Sequence, residues 1–355
     1  MGKRRRDSQQ NGGLEASAGV LRTARQIFGD DEARREAFVR ALARPQPYRP
    51  AVLWMGRRID GAFACGERPD WLPEPVDWAA EGERPGQHPA HQAGAFYCLD
   101  MSSVFAATVL TAVPKHPEVV IDLCASPGGK SLCAWRFLDP RFLLANETIR
   151  KRTGALISNF TRCGVGREAE KGRGDAQSAT EPSRAAVISM DTAPMAERAP
   201  HSADLVIVDA PCSGQSLVVK GDAAPGAFHP ATVNMNTNRQ RRILANAASL
   251  VVGGGHLAYL TCTYAPKENE GNVQWFLKQF PRFRAVPVPR LEAHRSHLAD
   301  PPCHRLWPQD GVGAGAFAAL FQNTADTPRL PLPLEALWPL WPPSQRRDGV
   351  GPTAS

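Results

Sequence analysis

Two cysteines stand where a nucleophile would be useful: Cys212 in Asp209-Ala210-Pro211-Cys212-Ser213-Gly214 and Cys262 in Leu260-Thr261-Cys262-Thr263. Each closes an apolar, strand-like run and precedes a polar turn. At the strand ends of an open α/β sheet, such positions face the ligand crevice. Thiols there suit covalent catalysis, in which one hard step is split into two easier ones. The reactive form is the thiolate, which a positive local field or a helix N-terminus favours. Upstream, Cys124-Ala125-Ser126-Pro127-Gly128-Gly129-Lys130 follows another apolar run. Its glycines let backbone approach a ligand closely and present amides at a helix start. The combination points to attack on an electrophile beside a bound cofactor.

The cofactor can be narrowed. The loop has neither the Gly-x-x-x-x-Gly-Lys-Ser/Thr spacing of a phosphate-binding loop nor Gly-x-Gly-x-x-Gly. Glu147 closes the next apolar run, where an acid accepts hydrogen bonds from ribose hydroxyls. Asp191 closes a third, in reach of an adenine amine. An adenosyl ligand without phosphates fits this set, and S-adenosylmethionine is the candidate. If the cofactor donates a methyl group and the acceptor is carbon-5 of a pyrimidine, that poor nucleophile needs the help of a cysteine. Thiolate addition at carbon-6 makes carbon-5 nucleophilic, and Asp209 is placed to meet N3 or the exocyclic amine.

These sites need a scaffold, and the apolar runs supply one. Strands are predicted at Val119–Leu123, Phe142–Ala145, Ala186–Ser189, Leu205–Val208, Leu257–Leu260 and Ala316–Phe321. Helices are predicted over Ser131–Leu138, Arg150–Cys163, Arg239–Leu250 and Glu268–Gln279, the third ending at Gly253-Gly254-Gly255. Alternation of this kind gives a mostly parallel sheet with helices on both faces. Right-handed crossovers then gather the strand-end loops at one sheet end.

The flanks differ. Residues 1–19 read as a disordered basic lead containing Arg4-Arg5-Arg6. Residues 20–110 read as a small N-terminal module, α/β or mostly helical, with one helical stretch from Leu21 to Arg44. The sheet domain spans 111–325 and carries a charged insertion from Gly166 to Arg184. A proline-rich tail, 326–355, is placed to dock through Trp338 and Trp341.

Composition bounds the partners. The 355 residues carry a net charge of +7, which favours polyanions. No apolar stretch is long enough to cross a bilayer, and the N-terminus lacks a secretion signal's apolar core. A cytoplasmic monomer is expected. The eight cysteines show no Cys-x-x-Cys pair and no metal spacing. Cys65, Cys98, Cys133, Cys163 and Cys303 read as small buried hydrophobes. Arg49, Arg57, Arg58, Lys220, Arg239, Arg241 and Arg242 are candidates for phosphate contact.

From about Pro47 to Gln322 the chain resembles the RsmB/Nop/Sun family of RNA cytosine-5 methyltransferases, its bacterial ribosomal RNA branch most of all. Asp122–Lys130, Asp209–Gly214 and Thr261-Cys262-Thr263 before Glu268-Asn269-Glu270 carry the resemblance. Supporting stretches are Gly94–Tyr97, Asn146-Glu147 with Arg150, Arg162–Gly164 and Arg305–Pro308 before Gly315–Phe317. The resemblance implies a Rossmann-like class I methyltransferase sheet with an RNA-binding N-terminal module. It implies Cys262 as the nucleophile and Cys212 as the cysteine that helps release the methylated product. Cys124, Ala125, Ser126, Pro127, Gly128, Gly129 and Lys130 match the S-adenosylmethionine loop. Glu147, Asp191 and Asp209 match acidic contacts to cofactor and base, and Lys220 matches a basic residue near the substrate.

The chain departs from that pattern at Ser126 (usually alanine), Leu260 (serine), Val219 (arginine), Phe228 (tryptophan) and Leu53-Trp54-Met55 (arginine-valine-asparagine). The implied substrate is ribosomal RNA, with transfer RNA as the alternative. Uracil or a DNA base as acceptor, or an RNA-binding assembly factor without catalysis, are further readings that intact Cys212, Cys262 and Asp209 disfavour or leave to experiment.

Overall fold

Five apolar strands running in parallel set the frame of the molecule. The computed structural model describes residues 17–44, 47–166, 183–222 and 224–342. The basic lead up to residue 16 and most of the charged insertion (167–182) lie outside the described residues.

The chain opens on α1 (Ala18–Phe28) and α2 (Glu32–Ala43). The single helix expected from Leu21 to Arg44 is thus two. The chain turns at Gly29-Asp30, and Asp31 caps α2 by accepting from the Arg34 amide at 3.0 Å. Helix α1 also begins inside the stretch expected to be disordered, with Ser17 as its cap. Strands β1 (Ala51–Trp54) and β2 (Val76–Trp78), a short α3 (Pro89–Gln92) and β3 (Phe96–Leu99) follow. The three strands pair antiparallel in the order β2-β1-β3.

After α4 (Met101–Ala107) come β4 (Val119–Asp122), α5 (Gly129–Leu138), β5 (Phe142–Asn146), α6 (Thr153–Arg162) and β6 (Ala185–Ile188). Next are α7 (Thr192–Arg198), β7 (Ala203–Asp209), α8 (Pro230–Leu250) and β8 (Val251–Thr261). The chain continues through α9 (Glu270–Gln279), β9 (Phe283–Ala285), β10 (His304–Leu306) and β11 (Ala316–Asn323). The large sheet runs β10-β11-β8-β7-β4-β5-β6, with β9 also on β11. Strands β4 to β8 are mutually parallel; β9, β10 and β11 are antiparallel additions.

Alternate residues of each strand enter different cores. Val120, Leu143, Val187, Leu205 and Ala258 pack with α4, α5 and α6 on one face. Ile121, Leu144, Ala186, Val206 and Leu257 pack with α7, α8 and α9 on the other. Burial on both faces explains why the strands read as continuous apolar runs rather than alternating ones.

Two boundaries differ from expectation, and the tail's contacts are a third finding. First, the N-terminal module is not one unit. Phe28 and Phe38 of the helix pair pack on Tyr264, Trp307 and Ala314 of the large domain. The small sheet sends Ala51 and Leu53 into the same core as Val120, and so does α4 through Val104 and Phe105. Each piece buries its apolar face against the body, not against the other. Second, Gly253-Gly254-Gly255 do not end α8; they lie within β8, which starts directly after Leu250. A Cβ on Gly253 would sit 2.5 Å from the Ala325 carbonyl, so close passage of the tail demands glycine there. Third, the tail is bound to the body along its described part. Val187 donates to the Trp341 carbonyl and accepts from Leu340, so the tail covers the free edge of β6. Trp341 packs on Phe160, and the exposed Trp338 lies under Arg198.

His304 in β10 is fully buried, and neither ring nitrogen has a partner. Burial pulls its pKa down to about 4 from an ordinary 6.5. The unfolded chain therefore binds a proton between pH 6.5 and 4 that the folded chain refuses. Stability should fall as pH drops through that window, by at most roughly 3 kcal/mol from this group. Urea unfolding from pH 7 to 4 should show a shallower slope for His304→Leu than for wild type.

Candidate active site

Chain order puts the crevice between β4 and β7. From β4 the chain builds outward through β5 and β6, then returns to lay β7 on the other side of β4. Loops after β4 and β7 thus diverge at the point where a doubly wound sheet binds ligands. The loop after β4 enters α5 through Gly128, at φ +113°. A Cβ there would press on Leu156 at 3.1 Å, in a backbone conformation that side chains avoid. Buried Asp122 holds the loop start by accepting from the Ser131 hydroxyl at 2.6 Å and the Cys124 amide at 3.3 Å. Burial raises its carboxyl to about 7. Asn146 is fully buried and ties the loops after β4 and β6 together through Leu123 and both amide groups of Met190's peptide environment: it donates to the Leu123 and Met190 carbonyls and accepts from the Met190 amide.

Strands β7 and β8 are adjacent and parallel, so their C-terminal loops are neighbours. The Cys212 and Cys262 sulfurs lie 3.2 Å apart, both partly exposed. Lys130 Nζ donates to Asp209 Oδ2 at 3.0 Å. The surroundings of the two thiols differ. The hydrogen bond from Cys212 holds Cys262 below its ordinary range, against burial and Asp209; the Ser216 hydroxyl and the Lys130 ammonium add to that effect. Donating that bond pushes Cys212 well up, and burial and the Glu268 carboxylate act in the same direction. Cys262 is therefore the thiol that ionises first.

A buried polar network fixes both loops. Glu268 accepts from the Ser213 amide at 3.0 Å, Gln240 Nε2 at 2.8 Å and the Thr263 hydroxyl at 3.3 Å. The Ser213 and Thr263 hydroxyls meet at 2.7 Å. Gln240 also donates to the Pro211 carbonyl, and Asn269 to the Thr263 carbonyl. One turn on, Glu270 is paired with Arg305 through two 2.6 Å bonds, and Arg305 also donates to the Tyr264 carbonyl. Burial lifts the Glu270 carboxyl, but Arg305 and Ser296 outweigh it and leave the group below its ordinary value.

A cleft of about 710 Å³ opens over these loops. Ala125, Ser126, Pro127, Gly129, Lys130 and Asp209 form its floor, and Lys220 lines one wall. Lys220 lies 3.5 Å from Asp100. Across the cleft the small sheet contributes Arg49, whose guanidinium stacks 3.6 Å from the Trp78 ring. Two other arginines read as phosphate contacts are engaged elsewhere: Arg58 with Glu74 and Asp77, and Arg241 with Asn272.

Cys124, Gly128, Glu147, Asp191 and both thiols, Cys212 and Cys262, are outside the cleft lining. Glu147 is buried at the end of β5; one oxygen accepts from the Ile149 amide at 2.9 Å, and the other is ion-paired with Arg152 Nη1 at 3.2 Å. Asp191 is exposed and caps α7 at the Thr192 amide. Among the remaining cysteines, Cys133, Cys163 and Cys303 are buried as expected, but Cys65 is exposed and Cys98 half-buried. Both sit in the small sheet's surroundings, where a single layer cannot enclose them.

Sequence reading quoted Glu268, Glu270 and Arg305 without assigning a role and passed over Gln240. Their signal was polar residues in positions that fold inward. Gln240 lies mid-helix, 28 positions from Glu268, so nothing local marks it.

A family model described as 16S rRNA methyltransferase RsmB/F matches residues 108–322. The chain belongs to this family. Among curated relatives, Ribosomal RNA small subunit methyltransferase F of Pectobacterium carotovorum is 29% identical over 83% of this chain and 60% of its own length. The Klebsiella pneumoniae protein of that name is 31% identical over 74% of this chain and 54% of its own. This RsmB/F chain thus spans three-fifths or less of those two relatives. In fold it is similar to NSun6 from Pyrococcus horikoshii (TM-score 0.65, 17% identity, covering 88% of this chain and 100% of that one). A methyltransferase homolog protein from the same organism gives a TM-score of 0.64 at 19% identity, covering 86% and 99%. The sheet and its switch point are therefore those of the Rossmann-like methyltransferases.

In this RsmB/F chain the Arg305–Glu270 pair should be costly to break singly. Arg305→Met leaves a buried carboxylate without its cation and should lower unfolding free energy by about 3–5 kcal/mol. Removing both charges, Arg305→Met with Glu270→Met, should recover most of that loss in urea titrations.

Proposed function

We propose that this protein methylates carbon-5 of a cytosine in RNA, with S-adenosylmethionine as donor and Cys262 as the covalent nucleophile. The observation that carries the reading is the pair of unlike thiols, 3.2 Å apart at adjacent strand ends, beside the Lys130–Asp209 pair at the cleft floor. Small-subunit ribosomal RNA is the proposed substrate, because the curated relatives carry that name.

The residues fit the cofactor. Glu147 is buried at the end of β5, with its second oxygen 3.2 Å from Arg152 Nη1, and a ribose hydroxyl would share or replace that ion pair. The Gly128-Gly129 turn leaves room for close approach at the start of α5. Glu147 and the Cys124–Lys130 loop would hold the group, with Asp191 near its base end. Bound there, S-adenosylmethionine supplies an electrophilic methyl.

The protein's own groups do the rest. The Cys262 thiolate adds to carbon-6 of the flipped base, and the ring's electrons make carbon-5 the nucleophile. Asp209, oriented by Lys130, meets N3 and the exocyclic amine as charge develops there. After methylation carbon-5 gives up its proton to water, the carbon-6–sulfur bond breaks, and the sulfur electron pair returns to Cys262. Cys212, at hydrogen-bond distance from that sulfur, serves this elimination. A base must leave its stack to reach the site, so the target is a loop, bulge or assembly intermediate. Arg49 and Lys220 both line the cleft and could meet the phosphates of such a strand.

Three outcomes test this. Cys262→Ala should abolish turnover and any adduct on RNA containing 5-azacytidine, read by denaturing gel. Cys212→Ala should still attack and accumulate protein-linked RNA; the reverse pattern would exchange the two roles. RNA affinity should fall linearly in log–log plots against salt, and a flat response would argue against a basic groove.

A further inference from the structure

Ser216 brings a buried hydroxyl to the Cys262 loop. It lies in the 3-10 turn that follows Gly214 and is 1% exposed. Its amide donates to the Cys262 carbonyl at 3.1 Å. The Ser216 hydroxyl also acts to hold the Cys262 thiol down. The hydroxyl oxygen is buried and has no hydrogen-bond partner, in a network where nearly every other polar group is paired. A buried hydroxyl left unpaired costs about 1–3 kcal/mol. The one neighbour able to offset that cost is a thiolate, which accepts hydrogen bonds far better than a thiol.

We propose that Ser216 is a positioning residue whose hydroxyl donates to the Cys262 sulfur whenever that sulfur is anionic. The proposal rests on the reading of Cys262 as nucleophile and adds what keeps its charge in place. Cys212 cannot hold Cys262 throughout a cycle in which it also serves elimination. Its thiol proton and side chain are free to move. Ser216 is fixed through its backbone bond to the Cys262 carbonyl, so its donor is present before attack and again as the sulfur leaves carbon-6. Hydroxyl rotation alone makes and breaks the bond, with no backbone movement.

The test is the pH dependence of Cys262 alkylation by iodoacetamide, followed by peptide mass in the full chain without RNA. Ser216→Ala and Ser216→Gly should each move the Cys262 midpoint up by about one pH unit, slowing alkylation about tenfold at neutral pH. Ser216→Thr, which keeps the hydroxyl, should restore the wild-type midpoint. In a Cys212→Ala background the Ser216→Ala shift should grow, because no other thiol remains to donate. Thermal midpoints identify any variant that fails to fold, and Ser216→Gly adds no bulk. Unchanged midpoints in both Ser216→Ala and Ser216→Gly would overturn the proposal, as would a threonine variant shifted as far as alanine. The 5-azacytidine adduct assay on wild type separates the two ideas. A wild type that forms no adduct but shows the Ser216-dependent midpoint would reject the nucleophile reading and leave the donor assignment standing.

Discussion

Strands β7 and β8 pair in parallel up to Asp209 opposite Leu260, and the next amide, Ala210, still donates to the Leu260 carbonyl. Neighbouring strands are about 4.8 Å apart. Two loops that leave such strands together cannot avoid each other, so a cysteine early in each brings two sulfurs into contact. The rest of the site follows from that pairing. Residues 50 positions apart in the chain come within hydrogen-bond distance, and the cleft forms where Asp209 meets the turn after β4.

Contact alone would make the thiols equivalent. The fixed charges around them break the symmetry. Glu268 stands on the Cys212 side, and Lys130 with Ser216 on the Cys262 side. Of the two thiols, Cys262 is therefore the easier to ionise. The arrangement holds because Glu268 is immobilised by three donors from three different segments. Such a network stabilises only when each member is satisfied, which links the folding of α8 and α9 to the electrostatics of the cleft.

Packing outside the sheet serves the same loops. Phe38 of α2 meets Tyr264 edge-on at 5.1 Å, and Tyr264 begins two residues after Cys262. The Tyr264 hydroxyl donates to the Ala314 carbonyl, tying the loop to the opposite wall of the cleft. The N-terminal helices are thus a buttress for the Cys262 loop, while the small sheet forms a separate wall. At the far edge the tail closes β6 and leaves the crevice end of the sheet open.

The sequence by itself determined the five parallel strands and β11, the acids and cysteines at the strand ends, and the glycine turn after β4, but not the short strands β1, β2, β3, β9 and β10. Apolar runs of the right length admit few alternatives, and only glycine tolerates the Gly128 backbone. It also showed that α1 and α2 would be helical, but not where the chain would break between them. Tertiary structure alone decided the rest. Periodicity marks which face of an element is apolar without naming the surface that covers it, so the docking of the helix pair on Tyr264 and Trp307 was not legible. Nor were the partners of Gln240, Glu268 and Ser216, because hydrogen bonds between distant segments leave no local pattern. Which thiol carries the charge is a property of that three-dimensional field, not of either cysteine's neighbours in the chain.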